Sequence, residues 1–270
     1  MIIARLAVKL AMFFKYERVQ ALKPSAPCAF FDAHAECPRI AVQVHLFYTQ
    51  LTDEIIRHTN LIPYRFDCFI STDTLEKAEA IRRAFQAHSR ACRVTVDVFC
   101  NRGRDMMPFV LQMTAHAARY DYLCHIHTKH SPHSAFGDRW RKYLLKSLLP
   151  DADTLAALLR LFETDARLGL VFQRTYWRVK PAAEWAGNYA VSQALLARLG
   201  LPSPPVKTPP FPAGNMFWAR TAALAPVFAC ALTETDFEPE QGQRDATLAH
   251  ALERCWALIT QAGGYTFTRV

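Results

Sequence analysis

Four short apolar runs alternate with segments of helical spacing through the first half of the chain. The segments that separate these runs have the length of helices of about 10–15 residues. Strands that are buried on both faces and separated by such helices are typical of a parallel sheet. The pattern therefore predicts an α/β fold. The predicted parallel strands lie near residues 40–47, 66–71, 93–99 and 122–127.

The second half of the chain is less regular. Two helices are predicted on either side of Pro150, and a long amphipathic helix is predicted over residues 243–263. Short strands are predicted at 168–173 and 214–220, and the Pro-rich stretch before the second of them predicts an irregular loop. A parallel half followed by an irregular α+β half is typical of an enzyme that binds two substrates.

Composition limits the class of protein. The chain has 270 residues, 51% of them hydrophobic, which is enough to bury a substantial core. Its net charge of +8 favours an anionic partner such as a nucleotide-sugar, a phospholipid or a nucleic acid. The eight cysteines contain no CxxC pair, which is typical of reduced thiols in a cytoplasmic protein.

The first 39 residues form a predicted N-terminal extension, and residues 40–270 a predicted catalytic domain. Basic residues interrupt the apolar opening of the chain, so it predicts neither a signal peptide nor a membrane-spanning helix. Its apolar face predicts either an interfacial helix on the inner leaflet of a membrane or a helix packed on its own domain.

Polar residues follow each of the four predicted strands. In an open α/β sheet, ligands bind in the crevice at the carboxyl ends of the strands. These residues are therefore either ligand contacts or ordinary solvated strand ends. They are His45 and Tyr48, then Ser71, Thr72 and Asp73, then Asn101 to Asp105, and finally His125 to Lys129.

The NRGRD stretch at residues 101–105 has two interpretations. Gly103 allows a close backbone approach, and Arg102 and Arg104 stand before a predicted helix N-terminus, a combination that favours a phosphate. Alternatively, Gly103 makes a turn, Asp105 caps the helix and both arginines are solvated.

The HIHTKHSPH stretch at residues 125–133 has the histidine spacing of a zinc hydrolase. A metal-dependent hydrolase would use His125, His127 and His130. However, the ammonium of Lys129 within the same loop opposes a bound dication. The second interpretation makes His125, His127 and Lys129 a counter-charge for a diphosphate. In the third, the histidines are structural.

Carboxylates concentrate before the last predicted helix. Removing a proton from a sugar hydroxyl requires a carboxylate held in a cleft. Asp245 is the first candidate for this general base, followed by Glu240 and then Glu238. The alternative is that these residues cap the helix, and Glu253 is interpreted as structural.

The ordered motifs resemble the rhamnan synthesis protein F family, whose members are bacterial enzymes or enzyme domains of polysaccharide assembly related to A-type glycosyltransferases. The resemblance covers residues 40–265. It implies an A-type, Rossmann-like glycosyltransferase fold. The motifs that carry it are VHLFY (44–48), NRGRDMMPF (101–109), YDYLCHIHTKHSPH (120–133), WRKYLLKSLL (140–149), FPAGNMFWAR (211–220) and EQGQRDATLAHALER (240–254).

The resemblance implies a hexosyltransferase that moves rhamnose or a related sugar from a nucleotide-sugar onto a polysaccharide, lipopolysaccharide or lipid-linked glycan, with no nucleic acid partner. A-type enzymes usually hold a divalent cation with an Asp-x-Asp at the end of the fourth strand. Here that strand ends in HIHTK, so Mg²⁺ or Mn²⁺ becomes optional, and Asp151-Ala152-Asp153 is interpreted as a helix cap.

The remaining roles follow from the same resemblance. Ser71, Thr72 and Asp73 would contact the base or ribose, with His45 and Tyr48 beside them, while Arg104, Asp105, His125, His127 and Lys129 would surround the diphosphate. After Gly214, the rings of Phe217 and Trp218 would form a platform for a sugar. A basic module that binds an anionic polymer without catalysis is the remaining alternative.

Overall fold

A computed structural model describes residues 38–129 and 136–270. Seven strands form one sheet, in the order β3-β2-β1-β4-β6-β5-β7. The predicted extension and its interfacial helix lie almost wholly outside the described residues. The strands are β1 (Ile40–His45), β2 (Phe66–Thr72), β3 (Arg93–Val98), β4 (Tyr122–His127), β5 (Leu168–Phe172), β6 (Phe217–Arg220) and β7 (Thr266–Arg269).

The described helices cover both faces of the sheet. Within the described ranges, no helix is both long and apolar enough to cross a membrane. The α-helices are α1 (Thr52–Thr59), α2 (Leu75–His88), α3 (Met106–Thr114), α4 (Gly137–Leu148), α5 (Ala152–Thr164), α6 (Asn188–Arg198), α7 (Ala225–Ala229) and α8 (Leu248–Ala262).

The first four strands confirm the predicted parallel sheet. β1 pairs in parallel with β2 on one side and with β4 on the other, and β3 extends the sheet beyond β2. The predicted helix break also occurs: α4 ends before Pro150, and the carboxylate of Asp151 accepts a hydrogen bond from the backbone N–H of Thr154 to cap α5.

Strand β6 is the one strand of the described sheet that runs opposite to the others. It pairs antiparallel with β4 and with β5, and β5 pairs in parallel with β7. As a result, the amino end of β6 lies at the same edge of the sheet as the carboxyl ends of the other strands. This edge therefore collects residues from both halves of the chain.

Two hydrophobic clusters pack on opposite faces of the sheet. Helices α1, α2, α4 and α5 cover one face, where Val42, Ile70 and Ile126 are buried. Helices α3, α6 and α8 cover the other face. Because side chains alternate along a strand, Gln43 and His45 point to the α3 and α8 face together with Ala41.

Helix α6 and strand β7 were not predicted. The α6 sequence NYAVSQALLAR contains few large apolar residues, and four of its side chains are buried. The β7 sequence TFTR is short and partly exposed at the edge of the sheet. Neither segment carries a strong periodic signal, and packing against α8 and β5 sets their conformation.

Gly103 supplies the first prediction because it combines a φ of +57° with a tight environment. A Cβ at this position would lie 2.6 Å from an atom of the Phe237 ring and 2.8 Å from the Met107 Cβ. We expect Gly103→Ala to lower the free energy of unfolding by about 2–4 kcal/mol, through left-handed strain and overpacking together.

Gly200→Ala is the matched control, since Gly200 has a φ of +69° with nothing within 4 Å of the added Cβ. It should cost about 1 kcal/mol from the backbone conformation alone. Urea unfolding of both variants measures the difference. Equal losses would show that the contact with Phe237 is unimportant.

Candidate functional site

The ends of β1 and β4 form the point at which the order of the strands reverses. His45 and His127 are the last residues of these two strands and are register partners. The Thr128 hydroxyl accepts hydrogen bonds from the backbone N–H groups of Phe47 and Tyr48, at 3.0 and 3.1 Å, and so joins the two strand ends. In open α/β sheets, such a reversal opens the crevice that holds the ligand.

A buried chain of amides leads to this point from the interior. The Gln112 amide donates to the backbone carbonyl of Ile70 and to Asp97 Oδ2, so its oxygen faces Gln43. Gln43 Nε2 donates to that oxygen at 3.1 Å, and Gln43 Oε1 lies 2.7 Å from His125 Nδ1. His125 therefore carries a hydrogen on Nδ1.

The other ring nitrogen of His125 faces Asp105 and Asn215. Trp256 Nε1 donates to Asn215 Oδ1 at 3.0 Å, which turns the Asn215 amide nitrogen toward Asp105 Oδ2 and toward His125 Nε2 at 3.4 Å. Asn215 thus bridges the carboxylate and the imidazole. Burial lowers the pKa of His125, although Asp105 opposes the shift, so we take His125 as neutral.

Asp105 is buried and stays ionised. Burial disfavours the carboxylate, but the charges that His127, His125 and His45 carry when protonated outweigh it and hold the pKa of Asp105 well below its usual range. The expectation that Asp105 caps α3 is wrong, because its side chain makes no cap hydrogen bond and faces the histidines instead.

His45 is a neutral hydrogen-bond donor at the edge. Gln43 Nε2 donates to Ser71 Oγ, which leaves the Ser71 hydroxyl hydrogen for His45 Nδ1 at 3.0 Å. The hydrogen of His45 is then on Nε2. Burial lowers its pKa to about 4, although Asp105 raises it. His45 therefore contributes an N–H group and no charge near neutral pH.

His127 and Lys129 complete the group. His127 Nε2 donates to the backbone carbonyl of Gly214 at 2.9 Å. The Lys129 ammonium lies 4.0 Å from the centre of the Trp140 ring, on a half-buried side chain. Burial lowers the pKa of Lys129, and Arg104 adds to this, whereas Glu253 and Asp105 oppose it. We name His45, Asp105, His127 and Lys129 the polar edge.

The NRGRD loop docks on the segment before α8. The guanidinium of Arg102 donates to the backbone carbonyl of Phe237 at 2.6 and 3.0 Å, which is a structural role. Arg104 is 40% exposed and pairs with Glu240 at 3.1 Å. Of the two arginines, Arg104 is thus the one available at the surface, with its charge partly balanced.

The three predicted carboxylates are all held by other groups. Glu238 accepts from the backbone N–H of Leu248 at the start of α8, and Glu240 pairs with Arg104. Asp245 accepts from the backbone N–H of Gly187 at 2.7 Å and from the Asn188 amide, at the N-terminus of α6.

Glu253 is a fourth carboxylate, nearer the polar edge. It accepts a hydrogen bond from the backbone N–H of Gly214 at 2.8 Å, pairs with Arg254 at 3.5 Å, and raises the pKa of Lys129. The backbone N–H of Gly214 bonds to Glu253 and its carbonyl oxygen bonds to His127. Gly214 therefore lies beside the polar edge and connects the two side chains. The ion pair with Arg254 agrees with the structural interpretation from sequence, which did not include a position beside the polar edge.

Several predicted contacts are internal. Ser71, Thr72 and His125 are 0% exposed, and their polar atoms bond within the protein. Their hydrogen bonds hold neighbouring residues of the strand ends in place, and their side chains have no exposed surface for a ligand. Asp73 and Tyr48 remain partly exposed at the same end of the sheet, and Asp73 pairs with Lys77 at 2.6 Å.

The predicted aromatic platform is wrong. Phe217 and Trp218 are both 0% exposed. Phe217 packs against Trp256, while Trp218 lies in the opposite hydrophobic cluster and donates from its indole N–H to the carbonyl of Leu148. Both side chains are core residues because β6 is covered by helices on its two faces.

The residues present do not suit Mg²⁺ or Mn²⁺. These ions prefer several oxygen ligands, whereas the polar edge offers one carboxylate, two imidazoles and an ammonium. In the described part of the chain, no three His, Cys, Asp or Glu side chains are arranged to hold a metal ion. His130, the third histidine of the hydrolase hypothesis, lies outside the described residues.

The buried histidines predict a loss of stability in mild acid. Burial lowers the pKa of both His45 and His250 to about 4 from 6.5, with Arg104 contributing at His250. Between these values the unfolded chain binds more protons, so the free energy of unfolding falls as the pH falls. Each histidine contributes up to about 1.4 kcal/mol per pH unit in this window.

Urea unfolding at pH 7, 6 and 5 measures this dependence. His250→Gln should give a shallower slope than the native chain, because it removes one of the groups whose pKa burial lowers. His88→Gln is the control, since His88 is exposed at the end of α2 and should leave the slope unchanged. Equal slopes for the native chain and His250→Gln would contradict the assignment.

Comparison with known proteins agrees with the family resemblance of the motifs. A family model described as rhamnan synthesis protein F matches residues 14–265, which begins well before the predicted start at residue 40. Two proteins named "Uncharacterized protein WxcX", from two strains of Xanthomonas campestris pv. campestris, are 32% identical over 240 residues and 86% of this chain. The chain spans 33% of the length of these curated relatives. On the extent of the family match, the chain belongs to the rhamnan synthesis protein F family.

Proposed function

We propose that the chain is a hexosyltransferase that moves rhamnose or a related sugar from a nucleotide-sugar to a growing cell-surface polysaccharide or lipopolysaccharide, on an A-type glycosyltransferase scaffold. Membership of the rhamnan synthesis protein F family supports a role in polysaccharide synthesis. The parallel order β3-β2-β1-β4, with its reversal at β1 and β4, supports a nucleotide crevice at that point.

The observation that carries the proposal is the combination of groups on the polar edge. His45 offers an N–H donor at the end of β1, and Lys129 offers a cation two residues after the end of the adjacent strand β4. Arg104 lies close enough to Lys129 to lower its pKa. Such donors suit the oxygens of a diphosphate, which accept hydrogen bonds and carry negative charge.

The reaction needs a leaving group and a base. The acceptor hydroxyl oxygen bonds to the anomeric carbon, the bond from that carbon to the diphosphate oxygen breaks, and the nucleoside diphosphate leaves. Lys129 and Arg104 would stabilise the charge that develops on the departing diphosphate. The hydroxyl proton passes to a carboxylate of the protein.

Glu253 is the base that the contacts favour. It raises the pKa of Lys129 and is connected to His127 through the Gly214 peptide. Asp245, the first candidate from the sequence, accepts hydrogen bonds from Gly187 and Asn188 at the N-terminus of α6. Both carboxylates have protein donors, but Glu253 is the one that acts on the charge of Lys129, so Asp245 becomes the second candidate.

The partners follow from this assignment. The donor is a nucleotide-sugar and the acceptor a polysaccharide or lipid-linked glycan, used at the cytoplasmic face of a bacterial membrane. Peripheral association with that membrane would depend on the N-terminal segment. The charge of the diphosphate would be met by side chains of the polar edge.

Lys129→Ala tests the donor site. We expect it to weaken nucleoside diphosphate binding by about one to two orders of magnitude, because a charge-assisted contact to phosphate is lost. Isothermal titration with a panel of nucleoside diphosphates and nucleotide-sugars provides the measurement. Lys142→Ala, at an exposed position of α4, is the control and should bind like the native chain.

A chelator should change little in the same titrations. If Lys129→Ala bound the preferred nucleotide as tightly as the native chain, the polar edge would not be the diphosphate site. Failure of the native chain to bind any nucleotide of the panel would remove the transferase proposal itself.

Glu253→Gln tests the base. We expect it to lower kcat by about 10²–10⁴ with little effect on donor affinity, since it removes basicity and keeps the shape. Asp245→Asn should retain kcat within about tenfold, as a residue outside proton transfer. Steady-state rates with donor and glycan acceptor distinguish them. The reverse pattern would return the role to Asp245.

A further inference from the structure

A concave region opens beyond the polar edge, at the ends of β5 and β7. It has a volume of about 810 Å³. Its lining combines residues that follow these two strands with residues of α4 and of the Pro-rich segment before β6. We name it the basic cleft, after four lining residues: Arg174, Lys180, Lys207 and Arg269.

The basic cleft has cations without carboxylates. No Asp or Glu lines it among the described residues, and its four basic side chains form no ion pair with any carboxylate that the structure describes. Burial, and then Arg174, lower the pKa of Arg269, so the two guanidinium groups repel each other. A bound anion would relieve this repulsion.

Backbone pairing fixes the two arginines side by side. Arg269 is the register partner of Phe172, and the backbone N–H of Arg174 donates to the carbonyl of Val270 at 2.9 Å. The charges therefore sit on strand ends of the sheet and not on a free loop. An anion bound between them would meet a preformed pair of donors.

Aromatic rings stand next to these cations. Trp177 is 62% exposed, which is unusual for so large an apolar side chain. Tyr176 packs on Tyr143, with ring centres 5.3 Å apart, and holds the start of this segment against α4. The Arg178 guanidinium lies 4.5 Å from the centre of the Trp177 ring, so this exposed indole can present its other face to the C–H face of a pyranose.

The far wall of the basic cleft is anchored to α6 and the turn before it. The backbone N–H of Trp185 donates to the Thr208 hydroxyl at 2.8 Å, and its indole N–H donates to the carbonyl of Pro205 at 3.0 Å. The Tyr189 hydroxyl donates to the carbonyl of Pro204. The Pro-rich segment is thus a fixed wall.

The basic cleft lies close to the polar edge. Phe211 lines the cleft, and the Gly214 carbonyl accepts the hydrogen bond from His127. Gly214 follows Phe211 by three residues, and three residues of chain span at most about 11 Å even when fully extended. A chain of two or three sugar units covers that separation, so one glycan can contact both.

We propose that the basic cleft binds the acceptor glycan through a sugar that carries an anionic substituent, a phosphate or a carboxylate, with the sugar ring on Trp177 and the anion between Arg174 and Arg269. The identification of the bound glycan as the acceptor rests on the proposed transferase function. The cleft itself is defined by charge and shape alone.

Three tetrasaccharide probes test the charge requirement: neutral maltotetraose, tetragalacturonate and singly phosphorylated maltotetraose. We expect the native chain to bind an anionic probe at least about tenfold more tightly than the neutral one, as one charge-assisted contact requires. The tighter of the two anionic probes identifies the substituent. Added salt should reduce the preference.

Arg174→Ala/Arg269→Ala should abolish the preference for anionic probes. The control, Arg57→Ala/Arg83→Ala, removes the same charge from exposed positions of α1 and α2 outside the cleft and should retain it. Lys180→Ala/Lys207→Ala, at exposed positions, should reduce the preference even if the first variant fails to fold. Trp177→Ala should weaken all probes by about tenfold.

Nucleoside diphosphate titration of the same variants separates this proposal from the transferase. Unchanged nucleotide affinity in Arg174→Ala/Arg269→Ala is expected, and a loss would assign the cleft to the donor and overturn the proposal. Equal binding of neutral and anionic probes by the native chain would also overturn it. If the native chain bound the anionic glycan probes but no nucleotide, the transferase proposal would be rejected and the glycan site in the basic cleft would stand.

Discussion

A chain of hydrogen bonds with a fixed direction, buried on one face of the sheet, holds the strand ends in place. It begins at Gln112, whose amide is oriented by a backbone carbonyl and Asp97, and ends at Trp256, whose indole can only donate. Between these ends, each amide has one orientation that satisfies its neighbours. His125 accordingly donates from Nδ1 and accepts at Nε2. This order fits a neutral His125, whose pKa burial lowers.

The consequence for the polar edge is a separation of tasks. The imidazoles of His45 and His127 offer N–H donors. The cationic groups are Lys129 and Arg104, and the charge of Arg104 is partly balanced by Glu240. Asp105 supplies the opposing charge from a buried position, where Asn215 holds it. Two adjacent strands therefore end in groups of different character, although their sequences, VQVH and CHIH, look alike.

The sequence predicted the sheet well because burial on both faces gives unbroken apolar runs. It also placed polar residues from several strands at one edge of the sheet, since polar residues follow the strands. It did not distinguish exposed polar residues from those bonded inside the protein: Ser71, Thr72 and His125 are fully buried. Exposure depends on which helix covers each face. For that reason the motif predicts surface rings at Phe217 and Trp218, whereas the exposed ring is Trp177, in the stretch TYWRVK, where rings and cations adjoin.

Because β6 runs opposite to the other strands, the Pro-rich segment that leads into it can change in sequence without a change at the strand ends of β1 and β4. The chain enters β6 through the Pro-rich segment, and its fixed points are the contacts at Thr208, Pro205 and Pro204 and the Gly214 peptide. The residues between these points carry no part of the amide chain. Insertions or exchanges there would reshape the wall of the cleft and leave the strand ends intact. Members of the family built on this frame can thus differ in the shape and charge of this cleft by exchanging one loop.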